Sequence, residues 1–206
     1  MAWFRCIGGN GGGQGVPEIS GQFGNTTNGL KLKNGRFLSG FNTNNPAYYP
    51  LNRNGAFPTF DFTKPFKYHL RFTVDTVRTS GNVSVMGPHN NWRNIPLLRL
   101  SASSIFASFS TDGSTTTNLF LTIPIVQGTT YDVDAEWANN VFTLRATDGV
   151  NDVSNTLATA HHYQGTSYLQ LGDIATDTQT TAKELTFDLA ACWWEEDGVL
   201  LWGNKE

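Results

Sequence analysis

Period-two alternation sets what this chain can fold into, and its last fifth carries the most informative stretch. Leu185, Phe187, Leu189, Ala191 and Trp193 fall on one side of an extended chain; Thr186, Asp188, Ala190, Cys192 and Trp194 fall on the other. Successive strand side chains point to opposite faces, so 185–194 is expected as one long β-strand with an apolar face. Asp197-Gly198 then signals a hairpin, because such turns need φ > 0, which glycine adopts without steric cost. Val199-Leu200-Leu201-Trp202 is the expected return strand. Of Trp193 and Trp194, one should be core and the other should face a groove or a neighbouring subunit.

The same period recurs upstream. Phe66, Tyr68, Leu70, Phe72 and Val74 alternate with Lys67, His69, Arg71, Thr73 and Asp75, a half-buried strand. Val83-Ser84-Val85 predicts a short strand ending at Gly87-Pro88, and Leu97–Leu100 and Ile105–Phe109 flank a Ser-rich turn. Leu119–Val126 predicts a strand at an edge or bulge, since Pro124 cannot donate to a ladder. Tyr131, Val133, Ala135 and Trp137 alternate with Asp132, Asp134 and Glu136, and Asn139-Asn140 turns the chain into Phe142-Leu144-Ala146. Asp148-Gly149 marks a further turn, and 168–171 is the last strand expected before the closing hairpin. Strands at this spacing, with turn signals between them and no helical period, predict an all-β, two-sheet antiparallel sandwich.

Composition narrows the class. At 206 residues the chain is most simply one domain. Thr, Asn and Gly supply 65 residues, which suits strands joined by many turns. A net charge of −3 without a basic cluster leaves no footprint for nucleic acid, and no apolar run approaches the roughly 20 residues that span a bilayer. Residues 1–15 divide from the rest. Met1–Ile7 is too short and mixed for a secretory signal, and glycine fills six of the eight positions from Gly8 to Gly15, the composition of a flexible linker. The expected organisation is an anchoring peptide and linker at 1–15 and one sandwich domain at 16–206. Trp3, Phe4 and Arg5 are the candidate attachment residues, because an exposed aromatic cluster forfeits burial that an assembly would supply. A disordered tail is the alternative.

Four stretches resemble concanavalin A-like, laminin-G-like jelly rolls of the kind found in bacteriophage tail and head-fibre proteins. "LTFDLAACWWEEDGVLLWG" (185–203) is similar to their closing hairpin and "NGRFLSGFNTNNPAYYPL" (34–51) to their opening segment. "KPFKYHLRFTVDT" (64–76) resembles their central strand, and "VQGTTYDVDAEWANNVFTLRATDG" (126–149) their middle strand pair. The resemblance covers roughly residues 30 to 203 and implies a jelly-roll sandwich. It implies a virion structural protein of head or tail, made in the host cytoplasm, released by lysis and carried as a homo-oligomer among other capsid or tail proteins. Such proteins need no signal peptide. First and last strands are often neighbours in these folds, which would bring Cys6 near Cys192; folding in a reducing cytosol favours two free thiols instead.

Asp132, Asp134 and Glu136, alternate acids on one strand, are the sharpest catalytic candidates. Retaining glycosidases of the laminarinase type set two carboxyls roughly 5–5.5 Å apart across the scissile bond. Here Asp132 stands where those enzymes place a glutamate nucleophile, and the neighbouring aromatic cleft sequence is missing, so a non-enzymatic chain is expected. His69, His89, His161 and His162 form no triad, and there is no Gly-x-Ser-x-Gly elbow. No cofactor or metal is expected: Asp173 and Asp177 are two carboxylates, against the six to eight oxygens calcium takes.

The segment 86–94 looks most like a binding loop. His89, Asn91, Trp92 and Arg93 would combine an aromatic platform with directed hydrogen-bonding groups, as sugars require. Trp92 folded back as a lid on the sandwich is the alternative, and Asn44, Asn45, Tyr48 and Tyr49 form a second candidate. The expected function is a virion decoration or fibre protein with affinity for host-surface polysaccharide. A stand-alone carbohydrate-binding module is the alternative, and a laminarinase-type hydrolase stands behind it.

Overall fold

A computed structural model describes residues 30–32, 63–75, 77, 82–88, 97–160, 169–171, 185–188, 191–203 and 205. These carry thirteen strands: β1 (Leu30–Leu32), β2 (Phe66–Val74), β3 (Val83–Pro88), β4 (Leu97–Leu100), β5 (Ser104–Ser110), β6 (Thr116–Thr122), β7 (Thr130–Ala138), β8 (Val141–Thr147), β9 (Asp152–Ala158), β10 (Leu169–Leu171), β11 (Leu185–Phe187), β12 (Trp193–Glu196) and β13 (Val199–Gly203). They form two antiparallel sheets. The larger has eight strands in the order β1-β11-β2-β7-β8-β9, with β12 also paired to β2 and β13 to β12. The smaller runs β10-β3-β4-β5-β6.

The alternation in β2, β7 and β8 sorts side chains as the sequence predicts. Phe66, Tyr68, Leu70, Phe72 and Val74 are buried, as are Tyr131, Val133, Ala135, Phe142, Leu144 and Ala146. They meet Val85, Leu98, Leu100, Ile105, Ala107, Phe109, Leu119 and Leu121 from the smaller sheet in one core. Phe109 and Phe142 bridge the two layers with ring centroids 5.4 Å apart. The hairpins form where the sequence calls for positive φ: Asn139 (φ 53°) and Asn140 (φ 57°) join β7 to β8, and Asp197 (φ 48°) and Gly198 (φ 75°) join β12 to β13.

Three expectations need correction. First, 185–194 is not one strand. β11 pairs Phe187 with Phe72, and β12 pairs Trp193 with His69. Five residues (188–192) therefore stand opposite two (70–71), an excess of three. An odd excess inverts the alternation, as a bulge does. Leu185 and Phe187 face the core before the break; Cys192 and Trp194 are buried after it, and Trp193 turns outward. The break is sealed locally. Asp188 N–H donates to the Arg71 carbonyl (2.9 Å), and the Cys192 Sγ accepts the Arg71 N–H (3.4 Å) while lying 3.1 Å from the Asp188 carbonyl. Cys192 is a free, buried thiol; Cys6 lies outside the described residues.

Second, the strand expected at Leu119–Val126 is β6, which stops at Thr122. Pro124 sits in the crossover to the larger sheet. Tyr131 clamps that crossover, donating its hydroxyl to the Pro124 carbonyl (2.7 Å) and accepting the Val126 N–H (2.9 Å). Third, β9 is a strand that the sequence pattern does not announce, because its seven residues are exposed or half-buried throughout and Asn155 interrupts the side on which Val153 and Leu157 pack against the core.

Tyr68 is fully buried, stacked on Trp194 at 5.0 Å, and its hydroxyl has no hydrogen-bond partner among the described residues. Burial pushes its pKa well up. A buried donor without a partner costs roughly 1–3 kcal/mol, whereas its removal leaves the ring packing in place. Tyr68→Phe should therefore raise stability by about 1 kcal/mol in urea titration; a loss of that size would mean that the hydroxyl is bonded in solution.

Candidate functional site on the outer face of the larger sheet

The polar positions of β2, β7, β8, β9 and β12 share the face turned away from the core, and register aligns them in rows. One row runs Trp193, His69, Asp134, Arg145, Ser154; a second runs Arg71, Asp132, Thr147, Asp152; a third runs Glu195, Lys67, Glu136, Thr143, Thr156. Lys-His-Arg on β2 thus lies directly against Glu-Asp-Asp on β7. Opposite charges on directly opposed positions stabilise a sheet, and here they form a continuous lattice.

His69 is its centre. Nδ1 lies 2.9 Å from Asp134 Oδ1 and Nε2 lies 3.2 Å from Asp132 Oδ1, so each ring nitrogen faces a carboxylate. Arg71 Nε donates to the same Asp132 oxygen at 2.7 Å. Lys67 Nζ lies 3.0 Å from Glu136 Oε2. Arg145 grips Asp152 with Nε and Nη2 (2.9 and 2.6 Å) and reaches Asp134 Oδ2 with Nη1 at 3.5 Å. At the other end of the row the His69 ring runs nearly parallel to that of Trp193, 6.2 Å between centroids. Lys205 Nζ stands 4.8 Å over the Trp193 ring, held by Glu195 at 2.5 Å.

The lattice tunes its own groups. The hydrogen bond from His69 is the main cause that holds Asp134 below the usual carboxylate range; the nearby charges of His69, Arg145 and Lys67 add to it, and partial burial opposes it. Hydrogen bonding to Asp132 raises Arg71, and to Asp152 raises Arg145. Carboxylates held ionised in this way accept hydrogen bonds well and donate protons poorly.

A pH dependence follows. Asp134 has a folded pKa below its unfolded value near 3.9, so its stabilising effect is complete above roughly pH 5 and is lost as pH falls through the lower, folded value. Asp134→Asn should lower stability at pH 7 and flatten the acid limb of the stability profile. Melting temperatures across pH 2–7 check this; parallel acid limbs would refute it.

Of the residues singled out from sequence, Asp132, Asp134 and Glu136 are brought together here, and each has a basic side chain as its register partner on β2. His89, Asn91, Trp92 and Arg93 lie outside the described residues, as do Trp3, Phe4 and Arg5, the Asn44–Tyr49 candidates, His161, His162, Asp173 and Asp177. Among the described residues no group of three His, Cys, Asp or Glu is placed to hold a metal ion. Sequence reasoning does not reach Lys205 or Arg145, and of Trp193 and Trp194 it leaves open which one turns outward. An unbroken strand puts Trp193 on the apolar side, and Arg145 gains meaning only from its register partners.

No protein-family model and no curated protein matches the chain. Solved structures do. The alginate lyase from Klebsiella pneumoniae superposes with TM-score 0.56 at 14% identity, covering 82% of this chain and 80% of that one. A variant of the family 7 alginate lyase A1-II' in complex with substrate (GGMG) gives TM-score 0.53 at 10% identity, covering 83% and 78%. The binding domain of botulinum neurotoxin serotype D/C VPI 5993 gives TM-score 0.56 at 7% identity; it covers 86% of this chain, which spans 41% of that one. The fold is a jelly-roll sandwich. At these identities the likeness extends to architecture alone.

Proposed function

We propose that this chain is a non-enzymatic, glycan-binding jelly roll displayed on a bacteriophage particle. The observation that carries the glycan-binding part is the outer face of the larger sheet, where a half-buried tryptophan borders a lattice of ion-paired donors and acceptors. Sugars are held by stacking of their C–H faces on aromatic rings and by hydrogen bonds to such groups. Relatives in fold include an alginate lyase and a toxin's binding domain, so the architecture accommodates both catalysis and binding.

The acids on β7 support binding over hydrolysis. Retaining hydrolysis needs one carboxyl protonated at working pH beside an ionised partner. Asp134 is pushed the opposite way, and Asp132 and Glu136 each face a basic side chain. The particle part of the reading rests on the family resemblance and on Trp3, Phe4 and Arg5 ahead of a glycine-rich tether. Binding through one aromatic gives affinity on the order of 1 mM, and multivalent display on a particle makes that useful.

The test is a glycan array probed with the full chain displayed multivalently, with reducing-end release measured in parallel. Binding without turnover is expected. Turnover abolished by Glu136→Gln would overturn the non-enzymatic reading, and absence of any binding would overturn the glycan reading.

A further inference from the structure

We infer that the Trp193 end of this face is a subsite for uncharged sugars, closed in the free protein by Lys205. The inference rests on the glycan-binding reading and names the ligand class and the residues that set it.

Trp193 owes its outward position to the three-residue excess before β12; an unbroken strand would bury it. Its ring lies beside His69, while Trp194, one residue on, is wholly buried. This is an aromatic platform on a strand paired on both sides, to β2 and to β13. Lys205 occupies it. Its ammonium lies over the ring and is tied to Glu195. A pyranose stacking on that face must take the place of the ammonium.

Charge selects the ligand. Every Lys and Arg of the lattice, and Lys205 beside it, already lies within 3.0 Å of a carboxylate oxygen. Within the ion pairs of the lattice, the carboxylates Asp132, Asp134, Glu136, Asp152 and Glu195 outnumber the side chains of Lys67, Arg71, Arg145 and Lys205. A uronate or sialate would have to break an existing pair and approach the remaining acids, which disfavours it. A neutral sugar meets no such repulsion. Ionised carboxylates offer about four lone-pair sites and arginine five N–H groups, so a pair that uses one or two leaves donor and acceptor side by side. Adjacent hydroxyls of a pyranose present the matching donor and acceptor.

Lys205 gives the test its sign. If the sugar is neutral and stacks where the ammonium sits, removing the lysine removes a competitor. If the ligand is anionic, removing the lysine removes an attraction. Affinity electrophoresis of the full chain in laminarin, dextran, mannan or alginate, with sialyllactose titrated by NMR, covers both cases. At least one neutral polymer should retard the protein. Trp193→Ala should weaken that binding about tenfold or more, and Trp193→Phe should restore part of it. Lys205→Ala should tighten it about 2–5-fold, the equivalent of an exposed cation–π contact. Preference for alginate or sialyllactose, with weaker binding by Lys205→Ala, would overturn the inference and leave glycan binding standing. Neutral binding indifferent to Trp193→Ala would also overturn it and place the site elsewhere. Binding to none of the panel would overturn this inference and leave the broader reading to the array.

Discussion

Trp194→Ala should destabilise the domain by about 3–5 kcal/mol, the usual cost of deleting a large buried aromatic. Trp194 is fully buried and stacks on both Phe66 and Tyr68 at 5.0 Å, so its loss opens a cavity between β2 and β12. Domains of this kind are stable by roughly 5–15 kcal/mol, so the variant would sit near the edge of folding. Trp193→Ala, one residue away, should cost within about 1 kcal/mol, because that side chain borders solvent. Urea denaturation of the two variants decides the matter. Equal losses would mean that β12 does not have the inverted phase seen here.

The second large effect concerns Cys192. Its sulfur accepts the Arg71 N–H where neither β11 nor β12 reaches β2. Cys192→Ala leaves that part-buried donor without a partner and should cost roughly 1–3 kcal/mol. Cys192→Ser keeps a group able to accept and donate, and should lose less. The ordering Ser above Ala in denaturation midpoint checks the bonding role; the reverse ordering would show that the thiol acts by packing alone. Burial pushes the Cys192 thiol up to about 12, so little thiolate exists at pH 8. Alkylation of this cysteine should then track unfolding.

The sandwich is legible in sequence wherever one face of a strand is buried and the other wet. β2, β7 and β8 meet that condition, and their residues alternate without interruption. β9 cannot be read because neither of its faces is fully buried, and the polar Asn155 separates the two apolar residues, Val153 and Leu157, that pack on the core. The break between β11 and β12 is hidden for a different reason. The residues at 188–192 mimic continued alternation, and only the pairing with β2 reveals the three that do not fit. Pro124 suggests an edge strand in linear order, yet it turns the chain between layers. The candidate site is half visible. Its acids stand out on β7 and its cations on β2, but nothing in linear order says that these two strands are neighbours. Their sequence separation is 61 to 69 residues.

The divided edge of β2 also sets a timetable. Arg71 meets Cys192 across 121 residues. At synthesis rates of 5–20 residues per second, β2 waits roughly 6–24 s with that flank uncovered. Until β11 and β12 arrive, its backbone groups present a template to any other extended chain nearby, the hazard of an open sheet margin. Distant pairings of this kind also slow folding itself. A nascent chain arrested near residue 180 would hold most of the described core residues and still lack the segments that close β2. Crowded synthesis of many copies at once is where that interval would cost most, and holding factors that shield extended segments would matter more to yield than the stability of the finished domain.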